Sequence, residues 1–145
     1  MKLADVQFAD HERVMVARLT GEVDLSNADG IESAIAEATP SHAVALVLDV
    51  SDVDYLDSAG IHLVYRLREK LRARGQSLRL VIPADSPAND ALRLAGVPQA
   101  VNTAQTLDAA LAEFAPRGAP APDASPAEAS SREPTRPEVP GPGAV

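Results

Sequence analysis

Short aliphatic runs alternate with amphipathic stretches along the first 115 residues of this chain. Near the N-terminus LADVQF is a weak strand-like segment and RVMVARLTG a stronger one. Ala9-Asp10-His11-Glu12 between them predicts a hairpin. Asn27 to Ala38 reads as a first helix, with Ile31, Ile35 and Ala38 spaced for one buried face, and Pro40 follows as a stop signal. AVALVLDV (Ala43 to Val50) is a nearly continuous apolar run, the pattern of a strand covered on both faces. Ser58 to Arg74 is the clearest helix, carrying Ile61, Val64, Leu67 and Leu71 on one stripe and Gly75 just past its end. SLRLVIP is the next strand, and Ser86 to Ala95 a third helix that starts Ser-Pro and is closed by Gly96 and Pro98. A short strand around Ala100–Val101 and a helix from Thr103 to Phe114 complete the order. Two strands, a helix and then repeated strand–helix units predict a single α/β domain over residues 1–115, with a mixed central β-sheet flanked by helices.

Composition adds a boundary. From Pro116 to Val145 the chain holds eight of its twelve prolines, with much Ala, Ser and Glu and no aromatic residue. Such a segment buries too little apolar surface to offset its ordering entropy, so residues 116–145 are expected to be a disordered tail. Over the whole chain 46% of residues are hydrophobic but only 3% aromatic, which makes the core aliphatic. A net charge of -8 argues against direct nucleic-acid binding and against anionic lipid. No cysteine is present, so disulfides and thiolate metal sites are excluded. No apolar run is long enough to insert into a membrane, and the acidic start lacks a secretory leader, so a cytoplasmic protein is expected.

Candidate chemistry gathers in DVSDVDYLDSAG, Asp49 to Gly60, between the buried strand and the longest helix. Sites in open strand–helix sheets collect at the carboxyl ends of strands. Ser58 would stand at a helix start, where free N–H groups and the dipole favour an anion. Two readings stay open for it: Asp57 or Ser58 as an N-cap, worth roughly 1 kcal/mol, or Ser58 as a phosphorylation site. Gly60 costs a helix about 1 kcal/mol relative to alanine, and a partner's close approach to the bare Ala59-Gly60 surface would justify it. Asp49, Asp52, Asp54 and Asp57 lack the other acidic residues and the strand-end lysine of a phospho-aspartate receiver. The flanks of Ser58 match only half of the Gly-x-Ser-x-Gly turn of a serine hydrolase, and His11, His42 and His62 show no ligand spacing. No metal, cofactor or enzymatic activity is expected. Arg66, Arg68, Lys70, Arg72, Arg74 and Arg79 concentrate six of thirteen basic residues, either as a solvated helix face or as a surface for an acidic partner.

LTGEVDLSNA (Leu19 to Ala28) and VSDVDYLDSAGIHLV (Val50 to Val64) resemble the two signature segments of STAS-domain anti-sigma factor antagonists, and LRLVIPADSPANDALRLAGV fits the same family. The resemblance covers about residues 3–114. It implies that Ser58, after the motif Asp57, is phosphorylated by a cognate anti-sigma factor that is a serine kinase, and that a serine phosphatase restores it. It further implies a partner-binding face of Asp24, Ser26, Asp57, Ser58, Ala59 and Gly60. The family often has Ser or Thr where this chain has Ala59, so Ser58 is the less ambiguous acceptor. The implied function is partner switching in transcription regulation: the unphosphorylated protein binds the anti-sigma factor and frees its sigma factor. A non-switching STAS scaffold or sensor subunit of a signalling or transport-associated assembly remains the alternative, with Ser58 a mere cap.

Overall fold

The computed structural model describes residues 4–115; the tail expected from residue 116 lies outside them. Met1–Leu111 forms one compact unit built around a five-stranded sheet in the order β1-β2-β3-β4-β5. β1 (Asp5–His11) and β2 (Val14–Val23) are antiparallel, whereas β3 (Ala45–Leu56), β4 (Ser77–Val81) and β5 (Asn102–Ala104) follow in parallel, so the sheet is mixed. The hairpin is tighter than expected. β1 runs on through His11, which pairs with Val14, and the chain reverses at Glu12 and Arg13. A two-residue reversal between twisted strands demands positive φ, and Glu12 supplies it at 62°.

α1 (Ala28–Ala38) buries Ala28, Ile31 and Ile35. The Thr39 hydroxyl donates to the Ile35 carbonyl at 2.8 Å as the helix ends before Pro40. α2 (Ser58–Ala73) buries Leu63, Val64, Leu67 and Leu71, with Ile61 half-buried at the margin of that stripe. Its end is a Schellman turn: Gln76 N–H donates to Leu71 and Gly75 N–H to Arg72, with Gly75 at φ +74° as only glycine adopts easily. One face of the sheet, through Ala17, Leu19, Leu46, Leu48, Val50, Leu78 and Leu80, packs on these two helices. At about 1.5–3 kcal/mol for each fully buried aliphatic side chain, this aliphatic layer is the main source of stability.

Several boundaries differ from the sequence reading. β3 continues six residues beyond Val50, because β2 offers a pairing partner past the aliphatic run: Thr20 faces Asp52, Gly21 faces Val53 and Val23 faces Leu56, across two register shifts. α3 is shorter, Asn89–Leu94, since Ser86-Pro87 lies in a turn in which the Ser86 hydroxyl and N–H both reach the Pro83 carbonyl. A one-turn α4 (Val97–Ala100) occupies the place expected of a short strand, and β5 comes just after it. α5 (Leu107–Ala112) starts late because residues 102–104 are held in the sheet and Thr106 caps it, its hydroxyl accepting from the Ala109 N–H at 3.1 Å.

Candidate functional site

The carboxyl ends of β2 and β3 come side by side, Val23 opposite Leu56, and the Asp57 N–H donates to the Val23 carbonyl at 3.2 Å. That bond ties the Glu22–Asn27 loop to the start of α2. Asp24 follows Val23 directly, so the loop that carries Asp24 and Ser26 leaves the sheet at the strand end to which Asp57 is bonded.

The loop is held from within. Asp24 Oδ1 accepts from both the N–H and the hydroxyl of Ser26, at 2.9 and 2.5 Å. Asn27 Oδ1 accepts from the Asp24 N–H at 2.9 Å, and its amide donates back to the Glu22 carbonyl at 2.9 Å. Asn27 stands at the N-cap position of α1 but makes no capping bond; its side chain closes the loop behind it. Ser26 is exposed, yet its hydroxyl is committed to Asp24.

At α2 the two readings of Asp57 and Ser58 separate. Asp57 is the cap: its Oδ1 accepts from the N–H groups of Ala59 and Gly60 at 2.8 and 3.2 Å. Ser58 is exposed, and its hydroxyl makes no hydrogen bond among the described residues. Asp57 already holds the N–H groups that a phosphoryl group on Ser58 was expected to use. A phosphoryl group there would project beside a carboxylate, adding roughly 1.5–2 negative charges to an acidic rim.

Gly60 has a different reason from the one expected. It is buried, and a Cβ built on it would lie 2.5 Å from Leu56 Cδ1 and 3.2 Å from Val23 Cγ1. The close approach that excludes a side chain is made by this chain's own core, not by an incoming partner. Ala59 beside it is half-buried.

Two residues of this rim were not singled out from the sequence. Leu25 is 82% exposed between Asp24 and Ser26, and Tyr55, which pairs with Glu22, is 53% exposed. Their signal was an apolar residue within a polar loop and an aromatic in an acidic stretch. The basic residues of α2 do not form one surface. Arg66, Lys70 and Arg74, four apart, turn toward α1. Arg66 and Lys70 hold the buried Glu32 at 2.7 and 2.8 Å, Arg66 also reaches Asp29 at 3.0 Å, and Arg74 donates to the carbonyls of Ala36 and Thr39. Burial pushes the Glu32 carboxyl up, but hydrogen bonds from Lys70 and Arg66 outweigh it, so its pKa lies below the ordinary value.

The sequence profile of the STAS domain matches residues 5–110. The anti-sigma-F factor antagonist RsfB of Mycobacterium tuberculosis is 35% identical over 107 residues, spanning 73% of this chain and 85% of the relative. Among solved structures, an anti-sigma factor antagonist from Mycobacterium paratuberculosis superposes with a TM-score of 0.67 at 28% identity, over 75% of this chain and 92% of that one. The unphosphorylated form of the anti-sigma factor antagonist SpoIIAA shares the fold, with a TM-score of 0.62 at 21% identity over 76% and 96% of the two chains.

Proposed function

The chain belongs to the STAS-domain family of anti-sigma factor antagonists, and from that membership we propose that it switches partners through the rim around Ser58. Antagonists of this family are regulators rather than catalysts. Unphosphorylated, the protein binds an anti-sigma factor through Asp24, Ser26, Asp57, Ser58 and Ala59, with Gly60 letting the start of α2 seat against the core. The anti-sigma factor then releases its sigma factor. The same anti-sigma factor acts as a serine kinase on the bound antagonist. The Ser58 hydroxyl oxygen bonds to the γ-phosphorus of the kinase's ATP, ADP leaves, and the hydroxyl proton passes to a base on the kinase. A serine phosphatase reverses the modification by hydrolysis. The working compartment is the cytoplasm; among the described residues no helix is long and apolar enough to cross a membrane.

The observation that carries this reading is the division of labour at α2. Asp57 caps the helix, so an exposed Ser58 hydroxyl has no structural duty to explain it. Phosphorylation therefore changes the charge of a preformed face without dismantling the fold, the local kind of switch. Charge repulsion and the cost of desolvating a dianion at an interface both act against the complex.

The test is binding of the cognate anti-sigma factor by wild type, Ser58→Ala and Ser58→Glu, with mass spectrometry of Ser58 after incubation with the kinase and ATP. Ser58→Ala is expected to bind like the unmodified wild type and to stay bound when ATP is added. Ser58→Glu is expected to bind at least about tenfold more weakly, or some 1.4 kcal/mol. Equal binding by both variants, with no phosphate found at Ser58, would rule out the switch and leave a non-switching scaffold.

A further inference from the structure

β1 is one outer edge of the sheet, paired with β2 alone. Its sequence, DVQFADH, carries little of what keeps edge strands from pairing with other chains. It has no lysine, proline or glycine, it pairs with β2 without a bulge, and every residue but Val6 is exposed. His11 and Val14 flank the two-residue turn and exchange main-chain bonds, so Ala9, Gln7 and Asp5, at alternate positions, also turn their N–H and C=O groups to β2. Those of Val6, Phe8 and Asp10 point outward. Among the described residues these three make no main-chain bond outside the β1–β2 ladder.

The side chains add to this. Val6, Phe8 and Asp10 pair with Leu19, Ala17 and Met15, so they stand on the face that carries the helices. Val6 packs on the core, whereas Phe8, at the middle of the strand, is 41% exposed. The strand is also complementary to itself. Turned antiparallel about Phe8, its outward residues meet in bonded pairs, Phe8 with Phe8 of a second copy and Val6 with Asp10. On the other face Asp5 comes opposite His11, and Gln7 opposite Ala9. Like charges directly opposite would oppose pairing; here neither aspartate faces an aspartate, and a carboxylate meets an imidazole. All of β1 pairs in this register, and a two-residue shift either way leaves strand ends unpaired.

We propose that a second copy of this chain adds to the β1 edge, joining the two sheets through an antiparallel β1–β1 contact centred on Phe8. About six main-chain bonds form across it, and the two phenylalanines cover one another. The helices of both copies lie on the same face. β1 starts opposite Thr20, short of Val23, so the contact includes neither the Glu22–Asn27 loop nor Ser58. The dimer therefore carries two Ser58 rims, and its formation does not rest on what they bind. The contact is small and each copy has a net charge of -8, so a dissociation constant of about 0.1–1 mM is expected at physiological salt.

The experiment follows the full chain by sedimentation equilibrium and amide hydrogen exchange from about 10 μM to about 2 mM, a range that brackets the expected constant. The average mass is expected to rise toward that of two chains, with exchange at Val6, Phe8 and Asp10 slowing as concentration rises. Phe8→Lys sets like charges at the two-fold axis, and Asp10→Pro deletes an N–H that β2 does not use. Each is expected to weaken dimerisation by about tenfold or more, with thermal midpoints recorded to verify folding. Asp5→Cys/His11→Cys puts two thiols into a chain that has no cysteine. Within one copy their Cα atoms are about 20 Å apart, but each comes about 4.5 Å from its counterpart in the second copy. Mild oxidation is expected to link this variant into a dimer at least about tenfold faster than either single variant. A monomer throughout the range would overturn the proposal, as would undiminished dimerisation in both folded variants or cross-linking no faster in the double variant. Slow exchange at Val6, Phe8 and Asp10 at every concentration would also overturn it, by assigning the edge to another segment of the same chain.

Discussion

Because Asp57 turns its carboxylate onto the N–H groups of Ala59 and Gly60, the two neighbours at the start of α2 can be altered independently. Asp57→Ala removes the cap and is expected to lower stability by about 1 kcal/mol, within a usual range of about 0.5–2, measured by urea unfolding. Ser58→Ala is expected to leave the unfolding midpoint unchanged; a loss comparable to that of Asp57→Ala would mean the hydroxyl has a structural partner after all. Gly60→Ala runs against helix propensity. Alanine should help a helix by about 1 kcal/mol, but here its Cβ would meet Leu56 at 2.5 Å, so a net loss of about 1–3 kcal/mol is expected from overpacking. Leu25→Ala belongs to the proposed interface. With 82% of that side chain exposed, stability should not change, while affinity for the anti-sigma factor should fall by about 1 kcal/mol or more if Leu25 is an apolar anchor. At this scale the sequence identified Asp57 and Ser58 but could not apportion the cap between them. Adjacent oxygen-bearing side chains have the same reach, and only the backbone angles at the helix start decide. Nor could it place Leu56 beneath Gly60, since that contact depends on a strand extension invisible in the hydrophobic pattern.

The pairing of α1 with α2 rests on apolar packing and on the buried Glu32 carboxylate between Arg66 and Lys70. The folded pKa of Glu32 lies below its unfolded value. Its contribution is therefore fully present above the unfolded carboxylate value of about 4.3 and is lost as pH falls through the lower folded one. Glu32→Gln is expected to cost about 1–3 kcal/mol at neutral pH, below the range for fully buried pairs because Arg66 and Lys70 are half exposed. The variant should also lose less stability than wild type on going from pH 5 to about pH 3; parallel loss in both proteins would show that the clamp does not carry the linkage. The α2 helix was legible to within one residue, since a long stripe of Val and Leu ended by glycine has few alternative readings. The clamp was not, although Arg66, Lys70 and Arg74 stand four apart. Basic residues on a helix read equally as a solvated face until the opposing Asp29 and Glu32 are seen. The second half of β3 was missed for the converse reason: SDVDYL is rich in Asp, which strands disfavour, and it is a strand because β2 pairs with it.

Across the molecule, the α/β class and the mixed sheet followed from the order of strong segments, whereas the short elements between residues 86 and 112 did not. Elements of three to six residues have too little periodicity to read, and their limits are set by sheet pairing and by a cap such as Thr106. The division into a domain over residues 1–115 and a tail from residue 116 is a proposal. A chain ending at residue 116 is expected to keep its thermal midpoint within about 2 °C of the full chain, where about 1 kcal/mol would move a domain of this size by some 4–8 °C. Strand order in the sheet is the same as strand order in the chain, β1 to β5. Each strand therefore finds its neighbour already made as the polypeptide leaves the ribosome from its N-terminus. The β2–β3 pairing and the residues around Ser58 are all synthesised before β4, whose Leu78 and Leu80 then complete the bed on which α2 packs. The nascent chain can thus lay down the strands beside Ser58 before the last strand exists, and the sheet grows outward from them in the direction of translation.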